Sequence, residues 1–173
     1  NRMKNPKPKH IAIIMDGNRR WAKENGTKTI IGHKQGLDTA KEICMYANKI
    51  QIKFLTLYAF SIQNWSRSKK EVESLFALFL EFFNQKSSFI IEQKMKFNPI
   101  GRVGELDSRI KNEIYKLAED TKNNKGTCIN VAINYGGREE IIDSIKKINN
   151  LNIDLNKISE EQIKKNTYLP DCP

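Results

Sequence analysis

Short, unbroken apolar runs alternating with stretches of helical period are the feature that most constrains this chain. "HIAIIMD" (10–16), "KFLTLYAFS" (53–61) and "INVAIN" (129–134) are rich in Ile and Leu on both sides. Such runs suit strands buried on both faces of a parallel sheet rather than strands with one wet face. "KFNPIG" (96–101) is a weaker fourth. Between them, Leu37, Ala40, Ile43, Ala47 and Ile50 recur with a helical period. So do Ile110, Ile114, Leu117 and Ala118, and after the last strand Ile141, Ile145 and Ile148. Ser68-Lys69-Lys70-Glu71 opens a helix predicted over 69–94, and Ser159-Glu160-Glu161-Gln162 a short last one, both as capping boxes. Strand and helix in alternation predict an α/β fold: one domain over 1–173, a largely parallel central sheet flanked by helices.

The chain has 173 residues, 39% of them hydrophobic, which is enough for one core. Its net charge of +10 needs an anionic partner or a tolerant surface, and nucleic acid, an acidic membrane face and a phosphorylated substrate all qualify. A nucleic-acid binder would interleave its basic stripe with exposed aromatics. Here the aromatics sit mainly in the apolar runs and on one helix, so no nucleic-acid partner is expected. Cys44, Cys128 and Cys172 are an odd number without metal-like spacing, which suggests a reducing, intracellular setting. No apolar run nears the roughly 20 residues that span a bilayer, and "NRMKNPKPKH" has no signal-peptide core.

The helix between 72 and 91 is apolar over a wide arc. Val72, Leu75, Phe76, Leu78, Phe79, Leu80, Phe82 and Phe83 cover roughly 200°, about twice what a surface helix buries. Such a helix is either packed on two sides or forms the wall of a tunnel for a long apolar chain. A tunnel would lie between it and the sheet.

Ligands in open parallel sheets bind beyond the carboxyl ends of the strands. That rule selects Asp16, Ser61 and the run Asn134–Arg138. Gly17 permits close backbone approach, and the amides that follow can donate to phosphate. Arg19 and Arg20 add planar, permanently charged forks suited to phosphate oxygens. Asp16 among these cations is a poor phosphate contact but a good Mg²⁺ ligand, since that ion is often held by one or two carboxylates plus substrate phosphates. The second strand end, "AFSIQNWSRSKKEV", repeats the mixture with Ser61, Gln63, Asn64, Trp65 and Arg67. Gly32-His33-Lys34 brings a further basic group to a helix start, with Lys28 nearby.

"HIAIIMDGNRRWAK…GHKQG", "LTLYAFSIQNWSRSKKEV" and "INYGGREEI" together resemble the cis-prenyltransferases, the undecaprenyl and dehydrodolichyl diphosphate synthases. The resemblance runs from His10 to the last residue. It implies that isopentenyl diphosphate units are condensed onto an allylic diphosphate primer, usually farnesyl diphosphate, with new cis double bonds. It implies Asp16 as catalytic aspartate and Mg²⁺ ligand, with Mg²⁺ as cofactor. Gly17, Asn18, Arg19, Arg20 and Trp21 would hold the primer, with His33 at its diphosphate and Lys28 close by. Ser61, Ile62, Gln63, Trp65 and Arg67 would line the substrate site, and Asn64 matches a position assigned proton handling. An amide is a weak base, so the chemistry of Asn64 alone suggests positioning. A homodimer is implied, as are membrane contact through the polyprenyl product and a place in the cytoplasm, on the cytosolic face of the endoplasmic reticulum, or in an organelle if a leader precedes. No DDxxD occurs, and the seven aspartates are isolated, which argues against the trans-prenyltransferases.

Three departures from the family pattern stand out. Thr29 occupies a place where the family has arginine, with Lys28 as a point-charge substitute. Gln63 replaces a glutamate. After "YLPDCP" the family continues into a segment carrying isopentenyl-diphosphate arginines and a second metal carboxylate. The expectation for 1–173 is therefore a primer site and half a condensation site. The alternative role is a non-catalytic partner subunit of a heteromeric prenyltransferase.

Overall fold

A computed structural model describes residues 7–173. Among them, β1 (His10–Ile14), β2 (Phe54–Ser61), β3 (Lys96–Ile100) and β4 (Cys128–Tyr135) form one sheet in the order β1-β2-β4-β3. Every pairing is parallel, with Ile13 opposite Leu57 and Leu57 opposite Val131. The expected α/β architecture is what forms, and all four expected strands are present.

One face of the sheet carries α2 (Thr29–Lys49), α3 (Lys69–Glu81) and α5 (Ser108–Thr121). Leu55, Phe60, Leu75, Phe79, Phe97, Ile114 and Ile129 are all buried in the core these elements share. The short α1 (Asn18–Glu24) lies on α2, and two glycines make that approach possible. A Cβ on Gly32 would stand 2.1 Å from the Asn18 carbonyl oxygen, and one on Gly36 would stand 2.6 Å from the Asn18 amide. The "GHKQG" spacing is thus a docking seam before it is anything else.

Two sequence expectations need adjustment. The helix expected over 69–94 is not continuous: α3 runs into a π-helical turn at Phe82–Lys86, and α4 (Ser88–Glu92) follows. The widened turn lets consecutive phenylalanines pack inward, Phe82 against Phe89 and Phe83 against Phe97. The stripe Ile141, Ile145 and Ile148 lies on α6 (Gly137–Asn150), but only Ile148 is buried. Ile141 and Ile145 instead border an apolar groove on the other face of the sheet, together with Ile163 of α7 (Glu160–Asn166).

The chain after α7 is clasped to α6. Glu140 accepts from the Tyr168 backbone N–H and from the Tyr135 hydroxyl. Asp143 accepts from the Tyr168 hydroxyl and from a bidentate Arg102 at 3.0 and 2.9 Å.

Candidate active site

β1 and β2 end side by side, and their last residues open onto a cavity of about 780 Å³. From the first strand end come Asp16, Gly17, Asn18, Arg19, Arg20 and Lys23, from α2 Thr29 and His33, and from the second strand end Ser61, Asn64 and Arg67. Gly17 makes this convergence possible. Its φ of +91° is a left-handed turn that reverses the chain from β1 into α1. The carboxylate of Asp16 spans that turn, accepting from the Gly17 N–H at 2.6 Å and from Arg20 Nη2 at 3.0 Å.

The second strand end is shaped by a 3₁₀ turn, Ile62–Ser66, closed as a capping box on Ser61. The Asn64 Oδ1 atom accepts from the Ser61 N–H at 2.9 Å. That bond fixes the amide's orientation, so what Asn64 offers the cavity is its Nδ2 donor pair. The geometry favours holding an anion over taking up a proton.

His33 is nearly buried, and its Nε2 makes no hydrogen bond. Burial, and after it the Arg67 charge, lower the His33 pKa below the ordinary histidine range despite the opposing pull of Glu71. At neutral pH the ring is therefore neutral.

The cationic cavity adjoins an apolar one of about 50 Å³ between the sheet and α3. Met15, Ala59 and Phe79 line both and form the neck. Beyond the neck the walls are Phe82, Phe83, Ile90, Phe97, Ile129 and Val131. The wide apolar arc of α3 is thus explained by two neighbours, the sheet and this cavity. A third cavity, about 680 Å³, meets the cationic one at Asp16, Gly17 and Asn18.

Not every expected residue faces the cationic cavity. Trp21 lines the third cavity instead. Lys28 is exposed and caps the start of α2, while Thr29 takes the cavity position. Ile62, Gln63 and Trp65 are outside the lining. Trp65 has a supporting place: its ring stacks on Phe76, its edge meets Phe60, and its Nε1 donates to Asn134 Oδ1 at 2.8 Å. Asn134, from the third strand end picked out by sequence, is buried and serves that bond rather than the cavity. Lys23 and Glu71 went unselected. Lys23 reads as an ordinary helix-end lysine, and Glu71 as half of a capping box.

The comparisons agree with this geometry. Residues 14–173 match the family model whose description is undecaprenyl diphosphate synthase. An isoprenyl transferase of Clostridium tetani is 40% identical over 170 residues, 96% of this chain and 67% of that protein. A ditrans,polycis-undecaprenyl-diphosphate synthase of Micrococcus luteus, specific for (2E,6E)-farnesyl diphosphate, is 42% identical over 170 residues, 96% of this chain and 68% of that one. In structure, lavandulyl diphosphate synthase from Lavandula x intermedia, crystallised with dimethylallyl diphosphate, superposes with a TM-score of 0.89 at 30% identity. That match covers 95% of this chain and 72% of the other.

Proposed function

Because the chain belongs to the undecaprenyl diphosphate synthase family of prenyltransferases, we propose that it condenses isopentenyl diphosphate onto an allylic primer, farnesyl diphosphate, with formation of cis double bonds. One observation carries the reading: a cation-lined cavity adjoins an apolar one across Met15, Ala59 and Phe79. A molecule with a diphosphate head and a hydrocarbon tail matches that pair in character, and at about 50 Å³ the apolar cavity must widen to take more than a short piece of the tail. The farnesyl primer is supported by the (2E,6E)-farnesyl diphosphate specificity of the Micrococcus luteus relative.

In this mechanism the primer's head lies among Arg19, Arg20, Lys23, Arg67 and the Asn64 amide. Chemistry starts with heterolysis of the allylic C–O bond, which leaves the electron pair on the departing diphosphate. Fixed cations close to that oxygen stabilise the developing charge with no reorganisation at the moment of reaction. The tail passes the neck, where Phe79 and the phenylalanines beyond keep water from the allylic cation. The third cavity, sharing Asp16, Gly17 and Asn18, is the place for the isopentenyl unit: its double bond attacks that cation, and the tertiary cation so formed loses a C2 proton to an oxygen of the departed diphosphate, leaving the new double bond. Arg20 holds the Asp16 carboxylate towards both.

Mg²⁺ fits this donor set. Asp16 presents a largely exposed carboxylate to the cavity, and a hard divalent ion completes its shell with phosphate oxygens and water. When bound, the ion supplies charge neutralisation of the diphosphate. Assembly as a homodimer, contact with a membrane through the product, and a reducing intracellular compartment suited to the free thiols of Cys44, Cys128 and Cys172 complete the proposal.

The test is incorporation of labelled isopentenyl diphosphate by the full protein with farnesyl diphosphate and Mg²⁺, beside Asp16→Ala. Butanol-extractable label that disappears in the variant and with EDTA is the expected result. A folded protein that makes none alone, yet raises the activity of an added second subunit, would establish the partner-subunit role instead.

A further inference from the structure

Two guanidiniums and an imidazole from three separate elements converge on a single carboxylate oxygen. Glu71 Oε1 lies 3.1 Å from Arg67 Nη1, 3.8 Å from His33 Nε2 and 3.9 Å from Arg19 Nε. Arg19 belongs to α1, His33 to α2, and Arg67 to the turn before α3. All three also line the cationic cavity, whereas Glu71 lies on its far side, in a smaller cavity behind His33. Helix formation does not need this carboxylate. At N3 of α3 it is the backbone N–H of Glu71 that bonds Ser68 Oγ, and the side chain is free for other work.

We propose that Glu71 is a positioning residue that acts as a resident counter-ion, holding Arg19, His33 and Arg67 together and limiting how tightly they bind diphosphate. The inference rests on the diphosphate site proposed above. Diphosphate and Glu71 draw on the same three groups. The carboxylate lies within one side chain's breadth of the bound polyanion and repels it. That repulsion outweighs what the carboxylate contributes by orienting the cations. The Arg67 contact, a partly buried hydrogen bond of 3.1 Å from the turn before α3, is the one firm constraint, while Arg19 is mostly exposed and 3.9 Å away and so is held weakly. A site that must discharge inorganic diphosphate after each condensation gains from a built-in competitor. Without it, the leaving group would stay and block the next round.

The test is the affinity of the full protein for inorganic diphosphate, without divalent metal, by calorimetry. Wild type is compared with Glu71→Gln, which keeps size and removes charge, and Glu71→Asp, which keeps charge. Glu71→Gln should bind about tenfold more tightly, the order expected of one partly screened carboxylate beside a polyanion. Glu71→Asp should stay near wild type. In turnover, inorganic diphosphate should inhibit Glu71→Gln at correspondingly lower concentration, and its steady-state rate should fall more than its single-turnover rate. Equal or weaker binding by Glu71→Gln, with its melting temperature retained, would show that Glu71 only orients the cations and would overturn the proposal. If Glu71→Gln unfolds, a Glu71→Ser variant puts the same question, with Glu71→Asp kept as the charged control. Failure of wild type itself to bind diphosphate would overturn the site assignment as well. Wild-type binding without tightening sinks this inference alone.

Discussion

Replacing Asn134 separates two sources of stability that meet at one residue. Asn134 is buried with φ of +51°, so a non-glycine side chain sits in the left-handed region. Its Oδ1 accepts from Trp65 Nε1, and its Nδ2 donates to the Arg102 carbonyl at 3.0 Å. Asn134→Gly removes both bonds, with a longer third from Nδ2 to Glu105 Oε2 at 3.3 Å, and leaves Trp65 Nε1 without a partner, while the Arg102 carbonyl keeps the Glu105 N–H. At about 1–1.5 kcal/mol for each of the two shorter bonds, that is about 2–3 kcal/mol of stability. Asn134→Ala loses the same bonds and also places a Cβ in the left-handed region, which costs about 1–2 kcal/mol more. Alanine should therefore be the worse replacement by about 1 kcal/mol or more, the reverse of the order on an ordinary strand. Denaturant unfolding of the two variants measures the difference. Both should also lose prenyl-transfer activity at permissive temperature, because Trp65 fastens the 3₁₀ turn that presents Asn64 and Arg67. If alanine is as stable as glycine, the backbone at 134 carries no strain. If both variants lie within 0.5 kcal/mol of wild type, a threshold near the ordinary surface effect, the Trp65–Asn134 link does not hold the turn.

Ala59→Phe places a ring in the neck shared by the two cavities, and it should shorten the polyprenyl products or stop elongation while inorganic diphosphate binding stays unchanged. Reverse-phase separation of the butanol-extracted products reads this directly, and an unaltered length distribution would show that tails do not pass Ala59. Phe97→Ala empties a fully buried position in the core and should cost about 3–5 kcal/mol in chemical denaturation. The Arg102 hydrogen bond holds the Asp143 carboxyl below its ordinary pKa. A depressed acid stabilises the fold above its unfolded pKa and loses that contribution as pH falls through the folded value. The stability gap between wild type and Asp143→Asn should thus be about 2 kcal/mol at pH 7. It should close as pH drops below the usual carboxylate range, where an acid-independent gap would show that the clasp is not ionic.

What the sequence made legible was whatever depends on order along the chain. β1, β2 and β4 announced themselves by apolar residues at consecutive positions, although β1 forms a sheet edge and leaves Ile14 79% exposed rather than buried on both faces, and β3, with Lys96 and Asn98, gave a weaker signal. The strand-end rule then located Asp16, Ser61 and Asn134 without any knowledge of their contacts. It could not say which of the three faced the cavity. Asn134 differs because Gly101, at φ +110°, packs against the backbone beneath it, and that contact comes from a strand neighbour distant in sequence. The π-helical turn escaped for a similar reason. Its phenylalanines satisfy the helical period, and only packing against Phe89 and Phe97 selects the wider turn.

Glu71 was hidden by a coincidence of roles. Ser-x-x-Glu is a sound signal for a helix start, and the helix does start there, with the Ser68 hydroxyl accepting from the Glu71 N–H. In a full capping box the glutamate side chain turns back to the N-cap amide. Here it leaves the helix and reaches Arg67, His33 and Arg19. The one-turn partner Arg67 is visible in sequence, but a pair at that spacing is common on helix surfaces and points to nothing further. The other two partners lie 38 and 52 positions away by residue number, brought in by α2 and by the glycine seam that seats α1 upon it. The chemistry of the site therefore depends on Gly32 and Gly36 as much as on its charged residues. A Cβ at Gly32 would meet the Asn18 carbonyl at 2.1 Å and lift α1, and Arg19 with it, off the cavity, whereas one at Gly36 would displace only the Asn18 side chain.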